Sequence, residues 1–321
     1  QSLPLILDLI KEYGTLSYYS LNASKTQALG VRLSQQTLTA LKKDHNFEWR
    51  TDTIKYLGLT FTKNPTETFP ANYVRVWGDC RQLMKKWSTL FLTWTERVAT
   101  VKMFILPRLQ YLFRNLPIQV PMSYLRDTQK DVNRFVWGGQ KARVQRILLQ
   151  TPVRQGGLAL PDIKTYYQAA LLATTLPHFT NTALPQWVLM EKQAIKPFDV
   201  PTIMWLPKKF RPDTPQMPTQ LKIAVRAWDK LRHKLVTPTP LSPATPLNTI
   251  TYCIPTFNAK PWIAKGVTYL HQILAHNKLK TFPTLQKEFH IPEASQFSYI
   301  QLSSFIRKHA GQSSAPDDNP L

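Results

Sequence analysis

The stretch that decides the fold begins IKYLGLTFT at residues 54–62 and closes RVATVKMFILPRLQYLFRNLPI at residues 97–118. Its first part favours extended backbone. Ile54, Tyr56, Leu57, Leu59 and Phe61 are strand formers, and Gly58 marks a turn, so a hairpin-like strand is predicted. From Tyr73 the apolar period changes to that of a helix. Tyr73, Val76, Cys80, Leu83 and Trp87 form one stripe, with Arg75, Arg81, Lys85 and Lys86 on the other side. Val98, Val101, Ile105, Leu109, Leu112 and Leu116 form a second. Arg97 and Arg108 border one edge of that stripe and Lys102 the other, positions from which long basic side chains carry their heads to solvent. Pro107 lacks an amide donor and must kink or split this run.

Length and composition bound the rest. A chain of 321 residues, 43% hydrophobic and 11% aromatic, can bury a core in each of two domains. Its formal charge is +22 and its pI about 10.0, with the excess spread along the whole chain. Such an excess predicts a polyanionic partner, most simply nucleic acid. An anionic membrane is the rival, but no long apolar run or lipidation motif supports it. The two cysteines, Cys80 and Cys253, lie far apart and form no Cys-x-x-Cys pattern, so no zinc knuckle or disulfide framework is expected. A reducing, intracellular compartment follows. The opening QSLPLILDLI starts within an apolar helix, as a piece of something longer would.

Outward from the deciding stretch, Leu3–Tyr13 has helical spacing with Gly14 as its stop, and Leu21, Ala23 and 28–31 suit short strands. Residues 34–46 read as a polar helix. On the far side, Pro121 and Ser123 start a helix through Trp137, ended by Gly138 and Gly139. A basic loop follows with Lys141, Arg143 and Arg146, and then Asp162 caps a helix over 163–176. Fourteen of the 26 prolines fall between Pro177 and Pro261, which predicts irregular coil around about two helices, the clearer over Gln220–Val236. Residues 237–246 read as an extended linker. Further helices are expected over WIAKGVTYLHQIL (262–274), from a cap at Thr284 through Phe289, and over Phe297–Arg307, before a disordered tail at 311–321.

Catalysis by paired metals or by acid and base needs clustered carboxylates or a His/Cys site. The one adjacent Asp pair, Asp317-Asp318, lies in the tail. The seven histidines, His178 among them, are scattered and read as surface or capping groups. No phosphate loop, nucleophile elbow or zinc-protease motif occurs. No catalytic residue, metal or cofactor is expected. Basic side chains interleaved with aromatics stand out instead. Lys85, Lys86, Arg97, Lys102 and Arg108 lie among Trp87, Trp94, Tyr111 and Phe113, a pattern that can follow a phosphate backbone while the aromatics fill the core.

TIKYLGLTFT, then LFLTWTERVATVKMFILPRLQYLFRNLPIQVP, FVWGGQKARV and GGLALPD with YYQAA, resembles in order the region downstream of the catalytic palm in reverse transcriptases of non-LTR retrotransposons, the long interspersed element type. SLNASKT is similar to the family's segment after its catalytic Asp-Asp strand, and IKYLG to its primer-grip hairpin. The resemblance covers nearly the whole chain and is weakest over 177–260. The Asp-Asp strand itself, the fingers and most of the palm are absent. The resemblance therefore implies a noncatalytic fragment that holds template–primer nucleic acid, RNA or an RNA–DNA hybrid. Lys55, Tyr56, Leu57 and Gly58 would place the primer end, and Lys25 would lie near a nucleotide's phosphates. The missing palm and fingers would be a further partner. The alternative is a domesticated or degenerate basic helical module that binds RNA or protein.

The expected fold is mostly α with a small β remnant. Its divisions are a palm remnant over 1–62, a thumb-like helical domain over 63–176, a Pro-rich connector over 177–261, a helical segment over 262–310 and the tail.

Overall fold

The computed structural model describes residues 2–180, 184–206, 208, 211, 217–232, 245–254, 256–275 and 278–310. Helix accounts for 64% and strand for 7%, the strands lying in small two-stranded sheets, so the fold is mostly α with a small β component. The proline-rich 237–244 and the tail at 311–321 lie outside the described residues. The chain divides into two compact units. One comprises Gln1–Leu112 with Val120–Ile163, the other Phe113–Gln119 with Lys164–Leu321.

In the first unit, α1 (Ser2–Ser17) runs through Gly14, the expected stop. A side chain there would begin 2.4 Å from the Tyr19 carbonyl oxygen, so glycine serves the fold-back that follows, where the Tyr18 amide bonds to the Gly14 carbonyl. Residues 23–25 form a short 3₁₀ turn capped by Asn22, in keeping with the turn that Asn22, Ser24 and Lys25 suggest, although Ala23 belongs to the turn and not to a strand. β1 (Gln27–Leu29) comes next, then α2 (Gln35–Asp44), whose first turn is capped by the Ser34 hydroxyl. β2 (Glu48–Arg50) pairs in parallel with β1, a strand too short to leave a period in the sequence. β3 (Thr53–Tyr56) and β4 (Leu59–Thr62) form the predicted hairpin, with Tyr56 opposite Leu59. Its two-residue loop has φ of 46° at Leu57 and 79° at Gly58, the signs of a type I′ turn.

Three helices carry the core of this unit: α3 (Arg75–Trp87), α4 (Trp94–Thr100) and α5 (Leu106–Asn115). The stripe from Val98 to Leu116 is buried at every expected position. The α3 stripe is out of phase by one residue. Trp77 and Met84 are buried with Tyr73 and Cys80, while Val76 and Leu83 are half-buried. The expected and the buried stripe share Tyr73 and Cys80 and are both helical in period, and the buried one runs along the Trp77 and Met84 side, where Trp77 also donates to Asp131. A π-helical turn at Pro70–Val74 precedes α3. A second π turn at Val101–Ile105 accommodates Pro107. The Leu106 amide bonds to the Val101 carbonyl, and the proline enters at the start of α5, where a donor is dispensable. α6 (Met122–Val136) ends at Gly138 and Gly139, both at positive φ, and α7 (Arg146–Gln150) follows. The hairpin and these helices belong to one compact unit.

Over 177–261, where irregular coil around about two helices is expected, four complete α-helices lie among the described residues of the second unit, and the one expected over Gln220–Val236 is among them. After α8 (Ile163–Ala173) come α9 (Gln186–Ala194), α10 (Val200–Trp205), α11 (Thr219–Leu231) and α12 (Leu247–Cys253). The prolines start these helices instead of breaking them. Pro185, Pro218 and Pro246 are N-caps, and Pro201 lies in the first turn of α10. Ile195, Val200, Ile203, Met204, Leu221 and Val225 form their core. The helix expected over 262–274 is two, α13 (Lys260–Ile263) and α14 (Leu270–Ile273), because Gly266 turns the chain at φ 87°. β5 (Leu274–Ala275) and β6 (Lys278–Leu279) pair antiparallel. α15 (Phe282–Phe289) starts at Thr281, not Thr284, and α16 (Gln296–Ala310) follows. Trp262, Leu270, Leu285 and Leu302 belong to the core of this end.

Candidate nucleic-acid interface

The hairpin tip is held from two sides. The Tyr111 hydroxyl on α5 donates to the Leu57 carbonyl at the turn. At the base, Asn72 is fully buried and stands in for a neighbouring strand. Its amide nitrogen donates to the Thr60 carbonyl at 2.7 Å and the Thr68 carbonyl at 2.8 Å, and its oxygen accepts from the Thr60 amide at 2.9 Å. The π turn over 70–74 carries Asn72. Sequence reasoning missed Asn72. The available signal was a lone amide within FPANYV, amid positions that face the core.

Against this frame Tyr56 and Leu57 are 63% and 71% exposed. Lys55 and Gly58 are exposed beside them. Arg108 lies three residues before Tyr111 on α5, so it shares the face that grips the turn, and it is exposed. Its charge also reaches the Cys80 thiol on α3. Lys55, Tyr56, Leu57, Gly58 and Arg108 therefore lie around one corner of the unit.

The other candidates are placed as follows. Lys85 and Lys86 are exposed in the last turn of α3, Lys25 is exposed after Asn22, and Lys141, Arg143 and Arg146 are exposed between α6 and α7. Among the described residues, none of these six, nor Lys55 or Arg108, has a carboxylate within 4.0 Å. Lys11, Arg32, Lys42, Lys43, Lys63, Arg126 and Arg154 are likewise exposed and have no ion pair among the described residues, while other surface cations of this unit are neutralised locally. Arg81 lies 2.6 Å and Arg134 3.8 Å from Asp131, Arg75 pairs with Asp79, and Lys130 with Asp127.

Arg97 is a correction. It is 8% exposed and its head does not reach solvent. Its Nε donates to the Leu92 carbonyl at 3.1 Å and its Nη1 to the Phe135 carbonyl at 3.1 Å. The guanidinium carbon lies 5.2 Å from the centre of the Phe135 ring. It ties the start of α4 to the end of α6, where the Phe135 carbonyl also accepts from the Gly138 amide at 3.0 Å. Lys102 is half-buried, and its Nζ donates to the Leu158 carbonyl at 3.4 Å, so part of its bonding capacity is internal.

His178 departs from the surface reading too. It is buried, with Nε2 2.8 Å from Glu191 and no partner at Nδ1. Cys80 sits in the α3 core, where burial pushes its thiol up to about 11, against a smaller opposing pull from Arg108. Among the described residues no three His, Cys, Asp or Glu side chains are grouped to hold a metal, and no helix is long and apolar enough to cross a membrane. No family model matches the chain.

Proposed function

We propose that this chain is a noncatalytic nucleic-acid-binding module of the reverse-transcriptase thumb type, which holds an RNA–DNA hybrid against its first unit. The observation that carries this is the surplus of exposed cations on the first unit over the carboxylates that could pair with them. Lys55, Lys85, Lys86 and Arg108 stand exposed without carboxylate partners, while Arg81, Arg75 and Lys130 are paired. Unneutralised cations on a rigid helical body suit phosphates, which position a duplex without reading its bases. The fixed hairpin tip gives that body a projecting edge. The +22 charge of the whole chain acts in the same direction.

The test is equilibrium binding of the purified chain to a short RNA–DNA hybrid across a salt series. Each phosphate contact contributes about −0.9 to the slope of log affinity against log salt, so four to six contacts give a slope of about −4 to −5. A base-scrambled hybrid should bind equally. Absence of binding at low salt, or affinity independent of salt, would overturn the reading. Primer extension with magnesium or manganese should yield no product.

A further inference from the structure

One aromatic side chain of the first unit is held out in solvent by an ordered connection. α3 ends at Trp87 and α4 begins at Trp94, and between them the chain reads STLFLT. Backbone bonds close this connection onto α3. The Ser88 amide bonds to the Met84 carbonyl at 2.9 Å, Thr89 to Lys86 at 3.3 Å and Leu90 to Trp87 at 3.1 Å. The other end is a capping box. Glu96 accepts from the Thr93 amide at 2.6 Å and from its hydroxyl at 2.7 Å, bonds that hold the Glu96 carboxyl below its usual range.

Phe91 nevertheless stands at 107% exposure, the highest of any large apolar side chain described, with Leu90 half-covered beside it. Burial of a phenylalanine is favourable, and this connection forgoes that gain. Lys85 and Lys86, exposed and without carboxylate partners, occupy the helical turn from which the connection springs. From Arg81 to Arg126 the one acidic residue is Glu96, already engaged by Thr93.

We propose that Phe91 is a stacking platform for an unpaired base, with Lys85 and Lys86 on the flanking phosphates. The ligand class is a single-stranded extension adjoining a duplex. Every base offers a flat face, so the platform is tolerant of sequence, and a pre-ordered aromatic stacks with little loss of freedom. An anionic lipid surface is the competing class. The apolar tip here is two side chains bracketed by Ser88, Thr89 and Thr93, whereas an interfacial anchor buries a whole helical face. The proposal rests on the nucleic-acid reading above and specifies which part of the ligand this loop takes.

The experiment compares the wild-type chain with Phe91→Ala and Phe91→Trp on two probes. One is a blunt RNA–DNA hybrid, the other the same hybrid with a short single-stranded extension carrying 2-aminopurine. Phe91→Ala should weaken binding of the extended probe roughly 5- to 150-fold, the measured range for loss of one base–aromatic stack. It should leave the blunt probe and the salt slope unchanged. Phe91→Trp should keep the affinity and quench the aminopurine. Equal affinity of wild type and Phe91→Ala for the extended probe would overturn the platform and leave the duplex reading standing. Failure of the wild type to bind either probe would overturn both. Sedimentation with phosphatidylserine vesicles that is lost in Phe91→Ala, while nucleic-acid binding is unchanged, would assign the loop to lipid and overturn the proposal.

Discussion

The Arg97 guanidinium lies against the Phe135 ring at 5.2 Å and donates to the Phe135 carbonyl at 3.1 Å, so one cation at the head of α4 closes the end of α6. Arg97→Gln removes the charge and takes a donor from two carbonyls, that of half-buried Leu92 and that of Phe135, which keeps the Gly138 amide. A hydrogen bond to a charged group contributes about 1.5–3 kcal/mol, and a loss of at least that size is expected in urea unfolding. The salt slope of nucleic-acid binding should not change, since this head does not meet solvent.

Tyr111 and Leu57 set the hairpin tip. Tyr111→Phe should cost about 0.5–1.5 kcal/mol and speed amide exchange over Lys55–Leu59, because the Leu57 carbonyl loses its donor. Leu57 also carries the left-handed backbone strain of a branched residue at φ 46°. Leu57→Asn should raise stability by about 0.5–1 kcal/mol, asparagine being at home in a type I′ turn. Unfolding midpoints of the two variants on opposite sides of wild type check this directly.

Asn72→Ala strips Thr60 of both backbone partners and Thr68 of one. Buried groups left unpaired cost about 1–3 kcal/mol each. The variant should lose hairpin protection in hydrogen exchange before the α4–α5 core opens. Simultaneous loss of both would show that Asn72 is not specific to the hairpin.

These residues mark what the sequence could and could not disclose. The stripe from Val98 to Leu116 was legible because every third or fourth position is apolar and the burial follows that period. The hairpin was legible from Gly58 and its strand-forming neighbours. Arg97 was not, because an arginine at the edge of a stripe looks the same whether its head meets water or a helix end. The buried face of α3 was hidden because Val76 and Trp77, and Leu83 and Met84, are adjacent apolar pairs, and either member of each fits a helical stripe through Tyr73 and Cys80. α11 was legible from the apolar period of Gln220–Val236, but α9, α10 and α12 were hidden because proline breaks a helix inside and starts one at its end, and composition does not separate the two. At the candidate interface, residue types were legible, but which cations lack carboxylates depends on Asp131, Asp79 and Asp127 across the fold.

Cys80 gives a dependence on pH. In the unfolded chain its thiol ionises near 9.0, and in the fold burial holds it protonated to about 11. The unfolded state therefore loses its proton first, and stability is unaffected below pH 9 and falls as pH rises from about 9 to 11. Two pKa units correspond to about 2–3 kcal/mol. Tyr124 is raised by burial as well, so from pH 10, where an unfolded tyrosine ionises, it adds to the decline. Unfolding of Cys80→Ala against wild type across this range should show the shallower decline in the variant.

The central claim is that exposed cations without carboxylate partners bind a phosphate backbone. The direct measurement is the salt slope of hybrid binding for a Lys85→Gln, Lys86→Gln, Arg108→Gln triple variant. Three lost contacts should flatten the slope by about 2–3 units with helical circular dichroism intact, whatever the base sequence of the probe. An unchanged slope in the folded triple variant would contradict the account.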